Sequence, residues 1–293
     1  MLAMLAIVSI ISRMNKRSTA ERARILACLC EGNSIRATAR LTDVAINTVV
    51  KLLIDAGHAC ANYHDKTVRG ITAERIQADE VWSFCGMKQK HVPANKQGQL
   101  GYGDVWCWTG IDADSKLVIS WHCGHREVTD ATMFIEDLKS RIVNRPQLTT
   151  DGHRAYLQPI AEVFNHQLDY AMLQKIYGTD NQARTQARYS PAKLQEIKIV
   201  PICGYPERQH ISTSFAERQN LNMRMSMRRY TRLTNGHSRK FENHLCALAL
   251  YFHFYNFCRI HATLKVTPAM QAGLASHAWE LAEVVRLIDE TSN

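Results

Sequence analysis

The chain has 293 residues, enough for one large domain and one small one. Hydrophobic residues make up 46% of it, which excludes general disorder and supplies ample material for a buried core. Lys and Arg outnumber Asp and Glu by 36 to 27, and the resulting net charge of +9 favours a polyanionic partner, nucleic acid first among them.

Residues 1–12, MLAMLAIVSIIS, are apolar but too short to span a bilayer, and they lack the basic flank and cleavage site of a secretion signal. Residues 1–13 are expected to be a non-native extension ahead of a natural start at Met14. No other stretch approaches transmembrane length, so a soluble protein is expected. The nine cysteines form no CxxC pair and no regular framework, which points to reduced thiols and a cytoplasmic location. Two His/Cys clusters, His58-Cys60-His64 and His122-Cys123-His125, have a spacing that permits zinc, against the plainer reading of core cysteines beside satisfied histidines.

From Ser18 to Gly57 the pattern is helical. Ser18 and Glu21 form a capping box, Gly32-Asn33 ends the first helix, and Ser34 caps a second that stops at Thr42-Asp43. A third begins near Asn47-Thr48, with Gly57 as its expected stop. Three short helices with a tight turn between the second and third predict a helix-turn-helix over residues 14–57. Asn47, Thr48 and Lys51 would be offered to the major groove, and a small bundle for protein contacts is the alternative. Residues 58–70 are polar, lack clear periodicity and are expected to be a linker.

The character then changes. RIQADEVWSFCG predicts a strand, and VWCWTGIDADSKLVISWHCG predicts two more joined by an Asp-rich turn. TDATMFIEDLKSRI is a helix capped by Thr129 or Asp130, and QLTTDG is a short fourth strand. Three strands, a helix and another strand predict a mixed sheet with a crossover connection. The pattern is poor from 157 to 195, EIKIVPICG is a candidate strand, and residues 212–287 are mostly helical.

Asp79 lies inside the first strand, where a carboxylate is costly unless something such as a metal ion offsets it. Asp151 sits where the fourth strand ends, the position at which open sheets place their sites. Between Arg208 and Lys240 the only acid among eight Lys and Arg residues is Glu217. Three carboxylates on two strands and a later helix suit two hard cations, Mg2+ or Mn2+. Asn220 and Arg224 share the helical face of Glu217, and with Arg218, Arg228 and Arg229 they would form a track for DNA backbone; the alternative is a solvated basic face. Glu80 should point to the face opposite Asp79, so only one of the two is expected in the site. His153 and Asp104 are possible accessory residues, whereas Asp112 and Asp114 read as turn residues.

These phrases together resemble the DDE transposases of the insertion sequence 1 family. The match runs from Asn15 to Gly273 through NSIRATARLT, QADEVWSF, LTTDGHRAY and STSFAERQNLNMRMSMRR, with Tyr255-Asn256, Arg259, His261 and Thr267-Pro268 behind them. The resemblance implies a ribonuclease-H-like α/β catalytic domain over 71–260, an insertion around 157–205 and a C-terminal helical tail over 261–293. It also implies Asp79, Asp151 and Glu217 as catalytic, metal-binding residues that cleave and rejoin transposon ends. The partners would be double-stranded DNA and, in the synaptic complex, a second copy of the chain or more. Better-known members of the family carry a zinc-finger-like element at the N-terminus, and this sequence departs from them in having no such cysteine pairs. The competing expectation is a DNA-binding regulator built on an inactive nuclease-like core.

Overall fold

A computed structural model describes residues 16–177 and 194–291; the extension expected over 1–13 lies outside the described residues. Helix α1 (Thr19–Cys30) opens on the expected capping box, with Ser18 and Glu21 satisfying each other's backbone N–H groups. Ser34 caps α2 (Ile35–Thr42), its hydroxyl accepting from the Ala37 amide at 3.1 Å. Asp43, at φ 51°, then turns the chain into α3 (Ile46–Thr67).

Helix α3 runs through most of the expected linker and does not stop at Gly57. Leu53, Ala56, Cys60 and His64 recur every three or four residues and are buried, so the helix has a continuous inner face beneath a polar sequence. Gly57 lies mid-helix because a Cβ there would collide with the Cα and Cβ of Cys246 on α7 (Phe241–His253). It is a close-packing glycine rather than a cap.

The sheet begins with β1 (Arg75–Cys85), β2 (Gly103–Asp112) and β3 (Val118–Gly124). Asp112 accepts from the amides of Asp114 (3.2 Å) and Ser115 (2.9 Å) in the β2–β3 turn, as an Asp-rich break should. Helix α4 (Val128–Arg141) starts without a side-chain cap; Asp130, an expected cap, instead binds His122 and the His125 amide. Then follow β4 (Gln147–Thr150), α5 (Leu157–Phe164), β5 (Asp169–Tyr177) and β6 (Leu194–Cys203). The strand order is β3-β2-β1-β4-β5-β6. Strand β2 runs antiparallel to both β1 and β3, β4 and β5 run parallel to β1, and β6 runs antiparallel to β5. This is a ribonuclease-H-like sheet with one extra edge strand. Much of the expected insertion, 157–205, therefore belongs to the sheet and its covering helix; residues 178–193 lie outside the described residues.

Helices cover both faces. On one, Ile76, Ala78 and Trp108 pack with Phe134 and Leu138 of α4 and with Tyr156 and Phe164. On the other, Val81, Cys85, Val105 and Cys107 meet Ala216 and Met223 of α6 (Ser214–Ser226) and Leu248 and Phe252 of α7. After α8 (Pro268–Gln271), α9 (Leu281–Thr291) returns to the N-terminal helices. Ile25, Leu26, Val49 and Leu53 share one core with Leu250 of α7 and with Val284, Val285 and Ile288 of α9. Arg22 clasps Asp289 through two hydrogen bonds of 2.7 and 2.8 Å. The N-terminal helices and the C-terminal tail thus form one packed unit, which a boundary at 57 and another at 261 would divide.

Candidate metal centre at the end of the central strands

The parallel pairing of β1 with β4 stops at Ala78 opposite Thr150. Strand β1 continues beyond it with Asp79 and Glu80, and Asp151 is the first residue after β4. One ligand oxygen from each of Asp79, Glu80 and Asp151 lies within 4.8 Å of the others. The inclusion of Glu80 corrects the expectation that its strand face removes it from the site. Adjacent strand residues do point to opposite faces, but β4 has ended here, so no backbone separates the two carboxylates. They converge on the notch from either side.

Each carboxylate is held differently. Asp79 accepts from the Glu80 amide through Oδ1 and from Asn220 Nδ2 through Oδ2, both at 2.8 Å. Glu80 is buried and accepts from Arg126 at 3.2 Å, and the same guanidinium stands 3.7 Å from Asp151. Asp151 accepts from the His153 amide at 2.9 Å. Burial first, then the charge of Asp151, pushes the Asp79 carboxyl up to about 7 and the Glu80 carboxyl up to about 8. Carboxylates crowded at this depth, with Arg126 the one arginine in ion-pair reach among the described residues and Arg224 felt only at longer range, are short of positive charge. Closely spaced oxygens lacking a sulfur or imidazole partner suit a hard divalent cation.

Glu217 stands beside this cluster rather than within it. Its carboxylate is exposed and binds Lys175 of β5 and the Thr213 hydroxyl, the latter at 2.6 Å. It is close enough that its charge contributes to the rise at Asp79. Its position is fixed by Gln77, two residues before Asp79 on the same strand face. The buried Gln77 Oε1 accepts from the amides of Phe215 (2.7 Å) and Ala216 (3.3 Å), docking the first turn of α6 onto β1. Asn220, three residues beyond Glu217, then meets Asp79.

Asn220 is buried and turns its Nδ2 to that carboxylate, away from the surface on which a DNA track was expected. Arg218 and Arg228 are exposed. Arg224 is half-buried, and burial lowers its pKa. Arg229 turns inward and donates to the Asn243 carbonyl at 2.8 Å, which takes it out of the expected outer track. Asp104 pairs with Phe84 while Asp79 pairs with Thr109. Five residues of strand, roughly 16 Å, therefore keep Asp104 from the site. The His153 ring stacks on Trp108 at 5.8 Å, its pKa lowered chiefly by burial, and only its backbone reaches Asp151.

The zinc clusters do not assemble. His58 faces Glu242 at the surface, Cys60 is buried with its thiol pKa pushed well up by burial, and His64 Nε2 donates to the Ile119 carbonyl at 3.0 Å. His122 is engaged by Asp130, and Cys123 is buried. Sequence reasoning missed Arg126, Lys175, Thr213 and Gln77. None of them carried a signal, since each acts across a contact between elements far apart in the chain.

No family model and no curated protein matches the chain. Among solved structures, a piggyBac transposase synaptic complex with hairpin DNA aligns over 92% of this chain and 69% of its own, at 8% identity and a TM-score of 0.40. The Mos1 strand transfer complex aligns over 53% of this chain and 58% of its own, at 12% identity and a TM-score of 0.24. At such scores nothing further rests on either likeness. No single described helix is long and apolar enough to cross a membrane.

Proposed function

We propose that the chain is a DDE-type DNA transposase that cleaves insertion-sequence ends and transfers the freed strand to target DNA. The observation that carries the reading is the convergence of Asp79, Glu80 and Asp151 at the β1–β4 notch, with Glu217 aligned beside it by the α6 contacts to Gln77 and Asp79. Asp79, Asp151 and Glu217 are the triad that the resemblance implies, and Glu80 is an added carboxylate at its edge. Two Mg2+ or Mn2+ ions, when bound, supply activation of the attacking oxygen and stabilisation of the leaving oxygen of the phosphodiester.

The protein's own part is to hold these oxygens. Asn220 keeps the Asp79 carboxylate turned toward the notch, and Arg126 restrains Glu80 and Asp151 together. Lys175 and Thr213 hold Glu217 until a stronger partner competes for it. Arg224, which feels the Asp79 charge, and the exposed Arg218 and Arg228 are the cations proposed to meet a phosphate backbone.

The N-terminal helices are proposed to bind the element's ends. Helices α2 and α3 meet at 112°, within the range of a helix-turn-helix, and Asn47 and Lys51 are exposed at the start of α3. Pairing of two ends calls for at least a dimer in the reacting complex.

Asp79→Asn, Asp151→Asn and Glu217→Gln are each expected to abolish metal-dependent cleavage and joining of end-containing duplex while leaving mobility-shift binding in place. Normal joining by any one of them removes that residue from the triad.

A further inference from the structure

The face of β1 that carries Glu80 continues past the covering helices as Trp82 and Phe84. Trp106 lies opposite Trp82 in register on β2. The rings form a row: Trp82 and Phe84 are 5.9 Å apart, and His237, from the segment between α6 and α7, stacks on Phe84 at 4.8 Å with an interplanar angle of 24°. At the near end, the Arg126 guanidinium sits 4.6 Å over Trp106 while also binding Glu80. Trp82 is 39% exposed, and Phe84, Trp106 and His237 are half-buried. Single exposed apolar residues are ordinary at a protein surface. A row of four rings that starts at a cation bound to the carboxylate cluster is a different arrangement.

The far end of the row, where residues 86–102 connect β1 to β2 and Ser238 pairs with Cys85, is cationic. Residues 228–240 carry the exposed Arg228, Arg232, Arg239 and Lys240 and no acid. Residues 86–102 carry Lys88, Lys90 and Lys96 and no acid. Past Glu80, the one acidic residue on β1 and β2 in this region is Asp104, opposite Phe84. A row of rings leading from the carboxylate cluster to a positive rim suits a ligand with flat faces and a polyanionic backbone. Bases within a duplex are already stacked on each other and present only their edges, so a ring row gains from bases that have left the duplex.

We infer that the row Trp106–Trp82–Phe84–His237 is a stacking platform for unpaired nucleotides adjoining the strand held at the carboxylate cluster, an inference that rests on the proposed transposase reading. Phosphates of the same strand would meet the cationic rim at the far end of the row, and Arg126 would join platform to cluster.

The test measures affinity of the full chain, by fluorescence polarisation, for a blunt duplex and for the same duplex with about four unpaired thymidines at one 3′ end. The wild type should prefer the tailed duplex. Stacking on an aromatic side chain contributes roughly 1–3 kcal/mol per base, so Trp82→Ala should weaken tailed binding by about 5- to 150-fold while leaving blunt binding unchanged. Trp82→Phe keeps a flat ring and should retain the preference, and Phe84→Ala should reduce it in a chain whose Trp82 is intact. The platform is refuted if Trp82→Ala keeps the full preference, if it weakens blunt and tailed binding alike, or if the wild type shows no preference. Strand cleavage with Mg2+, compared between wild type and Asp79→Asn, reports on the transposase reading independently, since it requires no single-stranded tail.

Discussion

Asn220→Ala removes one hydrogen bond, and its consequence can be worked out from the contacts around it. Asn220 Nδ2 donates to Asp79 Oδ2 at 2.8 Å, and the side chain is 4% exposed, so water cannot readily replace the donor. A hydrogen bond to a charged group contributes about 1.5–3 kcal/mol. A support of this kind behind a metal ligand changes metal affinity or activity by about 10- to 100-fold. Losing the donor also pushes the Asp79 carboxyl higher than its present position of about 7, so protons compete more strongly with the cation. The expected result in a Mg2+ titration of strand cleavage is a half-saturating concentration raised about 10- to 100-fold, with much of the rate recovered at excess Mg2+. The deficit should be larger at about pH 6.5 than at about pH 8.5. A half-saturating concentration within about twofold of wild type, or a loss that no Mg2+ concentration restores, would refute the assignment of Asn220 as the support of a metal-binding Asp79.

The buried histidines set a pH limit on stability. Burial is the first cause that lowers His64 to about 4 and His244 and His253 to about 3, so all three are neutral in the folded chain and titrate near 6.5 when unfolded. For a base with a depressed folded pKa, the stabilisation is present above the unfolded pKa and is lost as pH falls from about 6.5 toward 4. Each should remove about 2 kcal/mol between pH 7 and pH 5, read as a falling urea midpoint; a midpoint independent of pH over that interval contradicts the burial. Gly57→Ala places a methyl against the Cα and Cβ of Cys246, where α3 and α7 pack directly. It should destabilise the chain by about 1–3 kcal/mol in chemical denaturation, despite alanine's better helix propensity, and a gain in stability would contradict the packing.

How much was legible beforehand follows the locality of each signal. The capping box at Ser18, the first four strands in order and the positions of Asp79 within the first strand and Asp151 just after the fourth could be read because patterning and turn chemistry act over a few residues. Strand β5 was not legible: Tyr170, Ala171, Met172 and Leu173 are all buried, so no alternation marks a half-exposed strand. Gly57 and residues 58–67 misled because a glycine in a polar stretch resembles a helix stop, and only the contact with Cys246 explains it. At the site, the residue types were legible but their partners were not. Glu80 was set aside by strand alternation, a rule that holds within a paired sheet and loses its force where β4 ends at Thr150. Asn220 was expected to face DNA, and its burial against Asp79 depends on where Gln77 docks α6.

The most direct measurement of the central claim is the position of a bound divalent cation. Crystals of the full chain soaked in Mn2+ and examined by anomalous scattering should show a peak coordinated by oxygens of Asp79 and Asp151, with Glu80 or Glu217 adjoining, and Asp151→Asn should remove it. An anomalous map with no peak at the β1–β4 notch, or one that Asp151→Asn leaves unchanged, would contradict the account.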